Sequence, residues 1–289
     1  MHYYKTFLSF TVFLNTTRRR LLNIRLHQIL LAVTALGLAG SVTGCKTSSG
    51  GKKGSDNPLA TIDGPSRNPN APWNDAGSRN LPVSVGSRDS YSQVNTSLPF
   101  IALTFDDGPH PVNTPRLLDI LKSRNVKATF FVVATNARAH PGIMRRIVAE
   151  GHEIGNHTVT HGNLAQMSSD GVRKELRDAH DSIVSATGIA PRVMRPPYGA
   201  ITSSQKSWIR KEFGYPSIMW SVDPEDWKKP GSSVVASRLV KGAKPGGILL
   251  LHDIHAPTID AVSPTVDQLL AKGFQFVTIT QLIAMDGKG

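Results

Sequence analysis

From Pro99 to the carboxyl end, short apolar runs alternate with amphipathic helical stripes, and most of the runs stop at a cluster of polar residues. Strand-like runs fall at 99–105, 127–133, 153–155, 217–222, 247–251 and 274–279. Between them the spacing of apolar residues predicts helices near 114–124, 140–150, 168–187, 203–213, 232–241 and 263–272. Parallel neighbours need a crossover connection, and a helix supplies it, so repeated strand-helix units predict an α/β fold with a parallel sheet, open or closed into a barrel. A hydrophobic content of 39% over 289 residues is enough for a sizeable core. In such folds chemistry collects where strands end.

The polar clusters at those ends are specific. The first run ends Thr104-Phe105-Asp106-Asp107-Gly108-Pro109. Adjacent side chains at a strand end point in different directions, so two carboxylates there can do separate jobs, one binding metal and one taking a proton. By itself the segment reads more simply as a solvated Asp-Gly turn or a helix cap. After 153–155 comes Asn156-His157-Thr158-Val159-Thr160-His161. Histidines four apart share a face if they lie on a helical turn, and with an aspartate from elsewhere they form a His-His-Asp metal set. Two nitrogens and one oxygen favour Zn²⁺, with Co²⁺ and other divalent first-row ions also suited.

Arg195-Pro196-Pro197-Tyr198-Gly199 is stiff and extended, because each proline fixes its own φ and restricts the residue before it. An arginine so placed can grip a carboxylate bidentately. Asp223-Pro224-Glu225-Asp226-Trp227 sets three acids beside an aromatic, which suits a sugar groove or a core tryptophan next to a solvated loop. The run 247–251 ends in His252-Asp253. A histidine held protonated by a carboxylate can serve as a general acid; a hydrogen-bonded structural histidine fits the same pattern. His110 and His255 carry weaker signals.

The amino-terminal part has another character. Arg18, Arg19, Arg20 and Arg25 precede an apolar stretch at 29–44 that contains no acid, the order of an export signal. The stretch is shorter than the roughly 20 residues a spanning helix needs. It ends Val42-Thr43-Gly44-Cys45, which resembles a bacterial lipobox and holds the one cysteine of the chain. That predicts a signal peptide over 1–44 and lipid on Cys45. Thr17-Arg18-Arg19-Arg20 also resembles a twin-arginine signal. Residues 45–97, rich in Ser, Gly, Asn and Pro, read as the lipidated cysteine and a flexible linker, which places the catalytic domain at 98–289. The formal charge of +12 includes five cations of the signal, so the mature chain carries +7. That attracts acidic envelope polymers or anionic lipid, while no aromatic-basic pattern suited to nucleic acid is visible.

Taken in order, Thr104 to Pro109, His157 with His161, Arg195 to Tyr198, Asp223 to Trp227 and Leu250-Leu251-His252 resemble the polysaccharide deacetylase family, also called the NodB-homology domain or carbohydrate esterase family 4. The resemblance implies an irregular (β/α) barrel of parallel strands with about seven units. It implies Asp106 as catalytic base, Asp107, His157 and His161 as ligands of Zn²⁺ or another first-row ion, and Arg195 as the residue orienting the base. By the same resemblance the Tyr198 N–H is the oxyanion donor, His252 the general acid, and Asp226, or else Asp223, its tether. Trp227 and Leu250 match groove walls around the acetyl group, with Tyr198 also on the substrate. The implied reaction is hydrolysis of acetamide groups on N-acetylglucosamine units of peptidoglycan. Chitin oligomers, an exopolysaccharide, O-acetyl esters and a non-catalytic wall-binding role are the alternatives. The membrane is the expected partner of the lipid, in the outer membrane if the cell has two, and no protein partner is implied.

Overall fold

The computed structural model describes residues 85–288. The expected signal peptide, Cys45 and the linker as far as residue 84 lie outside the described residues. Seven strands are described, β1 (Ser90–Tyr91), β2 (Phe100–Asp106), β3 (Thr129–Val132), β4 (Glu153–Asn156), β5 (Ser217–Ile218), β6 (Ile248–His252) and β7 (Gln275–Phe276). The helices are α1 (Asn113–Ser123), α2 (Ala134–Ala139), α3 (Pro141–Ala149), α4 (Ser169–Thr187), α5 (Ser203–Phe213), α6 (Ser232–Gly242), α7 (Ala256–Ala271) and α8 (Ile279–Ile283).

Every pairing between these strands is parallel, as the strand-helix alternation predicts. Strands β4, β3, β2 and β6 lie side by side, β7 pairs with the start of β2, and β1 pairs with β5. Single parallel bridges, Asn156–Met194, Met194–Ser217 and Val222–Leu249, carry the pairing on from β4 towards β6. The architecture is α/β with parallel strands, irregular in that single bridges stand where longer strands were expected: of 217–222, only Ser217–Ile218 is strand.

The alternation along β2 sorts its side chains. Ile101, Leu103 and Phe105 join Leu117, Leu118 and Leu121 of α1 in the helix-facing core, while Ala102 joins Phe131, Ile218 and Ile248 in a second cluster. Burying one such Leu or Phe side chain contributes about 1.5–3 kcal/mol. By the two-residue period, Thr104 and Asp106 share the face of Ala102 and point into the molecule. Register then aligns the strand ends, because Asp106 pairs with His252 across β2 and β6.

Other parts of the chain also differ from expectation, β7 among them, which is strand only over Gln275–Phe276 of 274–279. The packed chain begins before residue 98: Val85, Tyr91 and Val94 are buried, and the Tyr91 hydroxyl accepts hydrogen bonds from the N–H groups of Ser87 and Arg88. Isolated apolar residues in a Ser- and Asn-rich stretch conceal that anchoring. Helix α2 was not expected, since 134–139 has little apolar periodicity. Helix α7 starts at Ala256 and holds Pro264 inside it, whereas a start at 263 was expected. Among the described residues no helix is long and apolar enough to cross a membrane.

Candidate active site

Asp106 closes β2 and is 3% exposed. Its Oδ1 accepts from Arg195 Nη1 at 2.7 Å. The expected bidentate grip is absent, because the other guanidinium donors are committed elsewhere: Nε to the Ile218 carbonyl, Nη2 to the Met219 carbonyl, and Nη1 also to Thr104 Oγ1. Arg195 is fully buried, and its guanidinium lies 4.2 Å from the ring centre of Phe131. Burial lowers its pKa, and the Asp106 charge works against that shift. The result is a fixed cation under one carboxylate oxygen, with Oδ2 left towards the cleft, 3.7 Å from His157 Nε2.

Asp107 turns the other way. Its φ of 75° lies in the left-handed region, and Asn136 Nδ2 holds its carbonyl at 2.8 Å. The turn leaves no room for a side chain at the next position, since a Cβ on Gly108 would come within 2.3 Å of the Asp253 carboxylate. Asp107 Oδ1 is 3.4 Å from His157 Nε2 and 3.1 Å from His161 Nε2. These two histidines are not on a helical turn, contrary to expectation. They sit in a loop after β4 in which Thr158 and His161 have φ of 68° and 59°. His157 Nδ1 lies 2.8 Å from the Arg195 carbonyl, which can only accept, so Nδ1 carries the proton and Nε2 presents a lone pair.

The lone pairs of Asp107, His157 and His161 therefore converge, with the three ligand atoms all within 4.8 Å of one another. Asp107 Oδ1 is buried without a hydrogen-bond partner. Burial would raise its pKa, but His157 and His161, and the charge of His252, hold the carboxyl well below the usual range. Converging acceptors around a buried anion repel one another until a cation lies between them, so the donor set fits a divalent ion.

On the other side of the cleft, Asp226 is 2% exposed and has both oxygens saturated. Oδ1 meets His252 Nδ1 at 2.8 Å and accepts from the Trp227 N–H. Oδ2 accepts from the His252 N–H and from Thr258 Oγ1. Asp223 instead accepts from the Glu225 N–H, so Asp226 is the residue in contact with His252. Burial would lower the His252 pKa, but the Asp226 hydrogen bond and charge, with the charges of Asp106 and Asp107, push it up to about 9. Nδ1 is tied to Asp226, which leaves Nε2 outside that bond.

These groups border one cleft of about 410 Å³, walled by Pro196, Trp220, Trp227 and Leu250. Tyr198 stands at its rim, 70% exposed, with φ of 59° and its ring 4.6 Å from that of His161. Among the described residues its N–H donates to no protein acceptor. Trp227 is half exposed beside Lys228. His255 also borders the cleft, whereas His110 serves as a cap, its Nδ1 accepting from the Val112 and Asn113 N–H groups. Two residues here had no role read from sequence. Asp253 is wholly buried, accepts from Thr114 Oγ1, and is pushed up to about 7 by burial. Glu175 binds the backbone between the two histidines.

The family model for polysaccharide deacetylase matches residues 93–218. Over 197 residues the chain is 40% identical to the chitooligosaccharide deacetylase of Bradyrhizobium sp., covering 63% of this chain and 90% of that relative. The chain belongs to the polysaccharide deacetylase family. A second relative in it, the peptidoglycan-N-acetylglucosamine deacetylase PgdA of Listeria monocytogenes, is 42% identical over 182 residues. That match covers 63% of this chain and only 38% of the Listeria protein, which is much the longer. The solved structure of the peptidoglycan deacetylase PdaC from Bacillus subtilis superposes with a TM-score of 0.60 at 36% identity, over 66% of this chain and 90% of that one. The cleft thus lies in a fold shared with other polysaccharide deacetylases.

Proposed function

We propose that the chain is an exported, lipid-anchored N-deacetylase that hydrolyses the acetamide of N-acetylglucosamine units in peptidoglycan. One observation carries the reading: a His-His-Asp donor set shares a single cleft with Asp106 and His252, which face each other in register on neighbouring strands. The names of the Listeria and Bradyrhizobium relatives support the chemical class.

Asp107, His157 and His161 would hold Zn²⁺, which two imidazoles and a carboxylate suit. When bound, the chemistry such an ion supplies is Lewis acidity towards the acetyl carbonyl and towards water. Asp106 Oδ2, the oxygen that Arg195 leaves free, takes a proton from the attacking water as its oxygen bonds the acetyl carbon. The Tyr198 N–H donates to the oxyanion as charge builds there, a contribution typically of about 3 kcal/mol. The C–N bond then breaks, and His252 Nε2 gives its proton to the departing amine, so the products are acetate and a free glucosamine amine. Trp227 and Leu250 flank the sugar and its acetyl group, and the apolar wall limits competing water.

In this reading residues 1–44 are removed as a signal, Cys45 carries lipid, and the linker that follows lets the domain reach polymer away from the membrane. The test compares acetate release by the purified chain from peptidoglycan fragments, N-acetylglucosamine oligomers and O-acetylated xylan. Turnover is expected on the N-acetylated substrates, highest on peptidoglycan fragments. Acetate from the O-acetylated polymer alone would replace the amide reading with an esterase, and binding without acetate release would make the domain a wall-binding module.

A further inference from the structure

Every backbone N–H from Asn156 to His161 has an acceptor, so the loop that presents the two histidines is fully specified by hydrogen bonds. Asn156 N donates to the Val193 carbonyl and His157 N to the Val132 carbonyl. Thr158 N donates to Asn156 Oδ1, and His161 N to Thr158 Oγ1. The two remaining groups, Val159 N and Thr160 N, both end on one oxygen of Glu175, at 2.7 and 2.9 Å. The other oxygen of Glu175 accepts from Thr160 Oγ1 at 2.9 Å. A single side chain of α4 thus closes the stretch between the histidines. Its neighbour Leu176 adds a carbonyl that accepts from Asn156 Nδ2.

The histidines depend on this loop unequally. His157 is 2% exposed at its side chain and is fixed by the Arg195 carbonyl. The His161 side chain is 26% exposed, and its ring lies beside Asp107, His157 and Tyr198. Its position is therefore set by the backbone, where Thr158 and His161 hold left-handed φ values that non-glycine residues keep only under constraint.

We propose that Glu175 is a positioning residue for the metal centre: by gathering the Val159 and Thr160 N–H groups it keeps His161 Nε2 within reach of the ion held by Asp107 and His157. This rests on the metal-site reading above. The role is geometric, so side-chain reach matters and charge does not. The substitution Glu175→Gln would keep an acceptor oxygen at the same distance, with Thr160 Oγ1 accepting from the amide. Aspartate keeps the charge but withdraws both oxygens by one methylene.

The experiment titrates Zn²⁺ into the metal-free full chain against a chromophoric chelator, for the parent chain and for Glu175→Gln, Glu175→Asp and Glu175→Ala, with circular dichroism as a check on folding. Outer partners of metal ligands typically change affinity 10- to 100-fold, so Glu175→Asp and Glu175→Ala are expected to weaken Zn²⁺ binding by about that factor and Glu175→Gln by no more than about threefold. If folded Glu175→Asp binds as tightly as the parent while Glu175→Gln is weakened, the effect is charge and the positioning role is wrong. Parent-like affinity in all three variants also overturns it and leaves the metal site standing. A parent chain that binds no Zn²⁺ overturns the metal-site reading and this inference with it.

Discussion

Replacing Asp106 by asparagine is expected to lower kcat for acetate release by about 10²- to 10⁴-fold while Zn²⁺ stays bound, the range a positioned general base supplies. Asparagine fills the same space, and its oxygen can still accept from Arg195 Nη1, but its amide cannot take a proton from water. The proposed metal donors Asp107, His157 and His161 are untouched, so Zn²⁺ content measured by the same chelator competition should match the parent. Stability should not match. Arg195 is wholly buried, and among the described residues Asp106 is the carboxylate in ion-pair contact with it. Removing one partner of a buried pair typically costs about 3–5 kcal/mol, so a lower melting midpoint should accompany the lost turnover. A folded Asp106→Asn that retained full activity would remove the assigned base.

Asp226→Asn is the second substitution expected to have a large effect, about 10²-fold or more on kcat/KM, together with a changed pH profile. In its proposed role of proton donor, His252 works in its charged form, so activity is expected below its pKa and is lost as pH rises through it. In the parent that pKa is pushed up to about 9, where burial is outweighed by the hydrogen bond and charge of Asp226 and by the charges of Asp106 and Asp107. Asparagine removes the charge of Asp226, leaves at most a weaker hydrogen bond from a neutral acceptor, and keeps burial in place, so the alkaline limb of kcat/KM must move to lower pH. A dication beside Asp107 offsets part of that carboxylate's charge in both proteins, which lowers both limbs and preserves the difference. An unchanged limb in Asp226→Asn would mean that His252 is not the group titrating there.

Much of this site is legible in the chain itself. The apolar run ending at Asp106, the paired histidines and the strand end at His252 each mark a place where a parallel strand stops, the stiff Arg195 segment follows a single bridge at Met194, and β2 and β6 bring two of the strand ends into register. What is not legible has physical causes. The spacing of His157 and His161 suggests a helical turn, but left-handed φ at Thr158 and His161 cannot be inferred from a Thr and a His. Glu175 looks like any charged residue on the outer face of an amphipathic helix, and its partners lie 15 and 16 residues away. The choice between Asp223 and Asp226 turns on a three-residue helical turn at Asp226–Lys228 that follows a left-handed Glu225. Pro264 resembles a helix start, yet the helix runs through it from Pro257 near its amino end. Tyr91 and Val94 anchor a segment whose composition reads as linker.

Acetate release from N-acetylglucosamine oligomers by the purified full chain, followed before chelation, after chelation and after return of Zn²⁺, tests the central claim most directly. Turnover should disappear with the chelator and come back with Zn²⁺ at one ion per chain. Undiminished acetate release from metal-free protein, or none under any condition from folded protein carrying Zn²⁺, would contradict it.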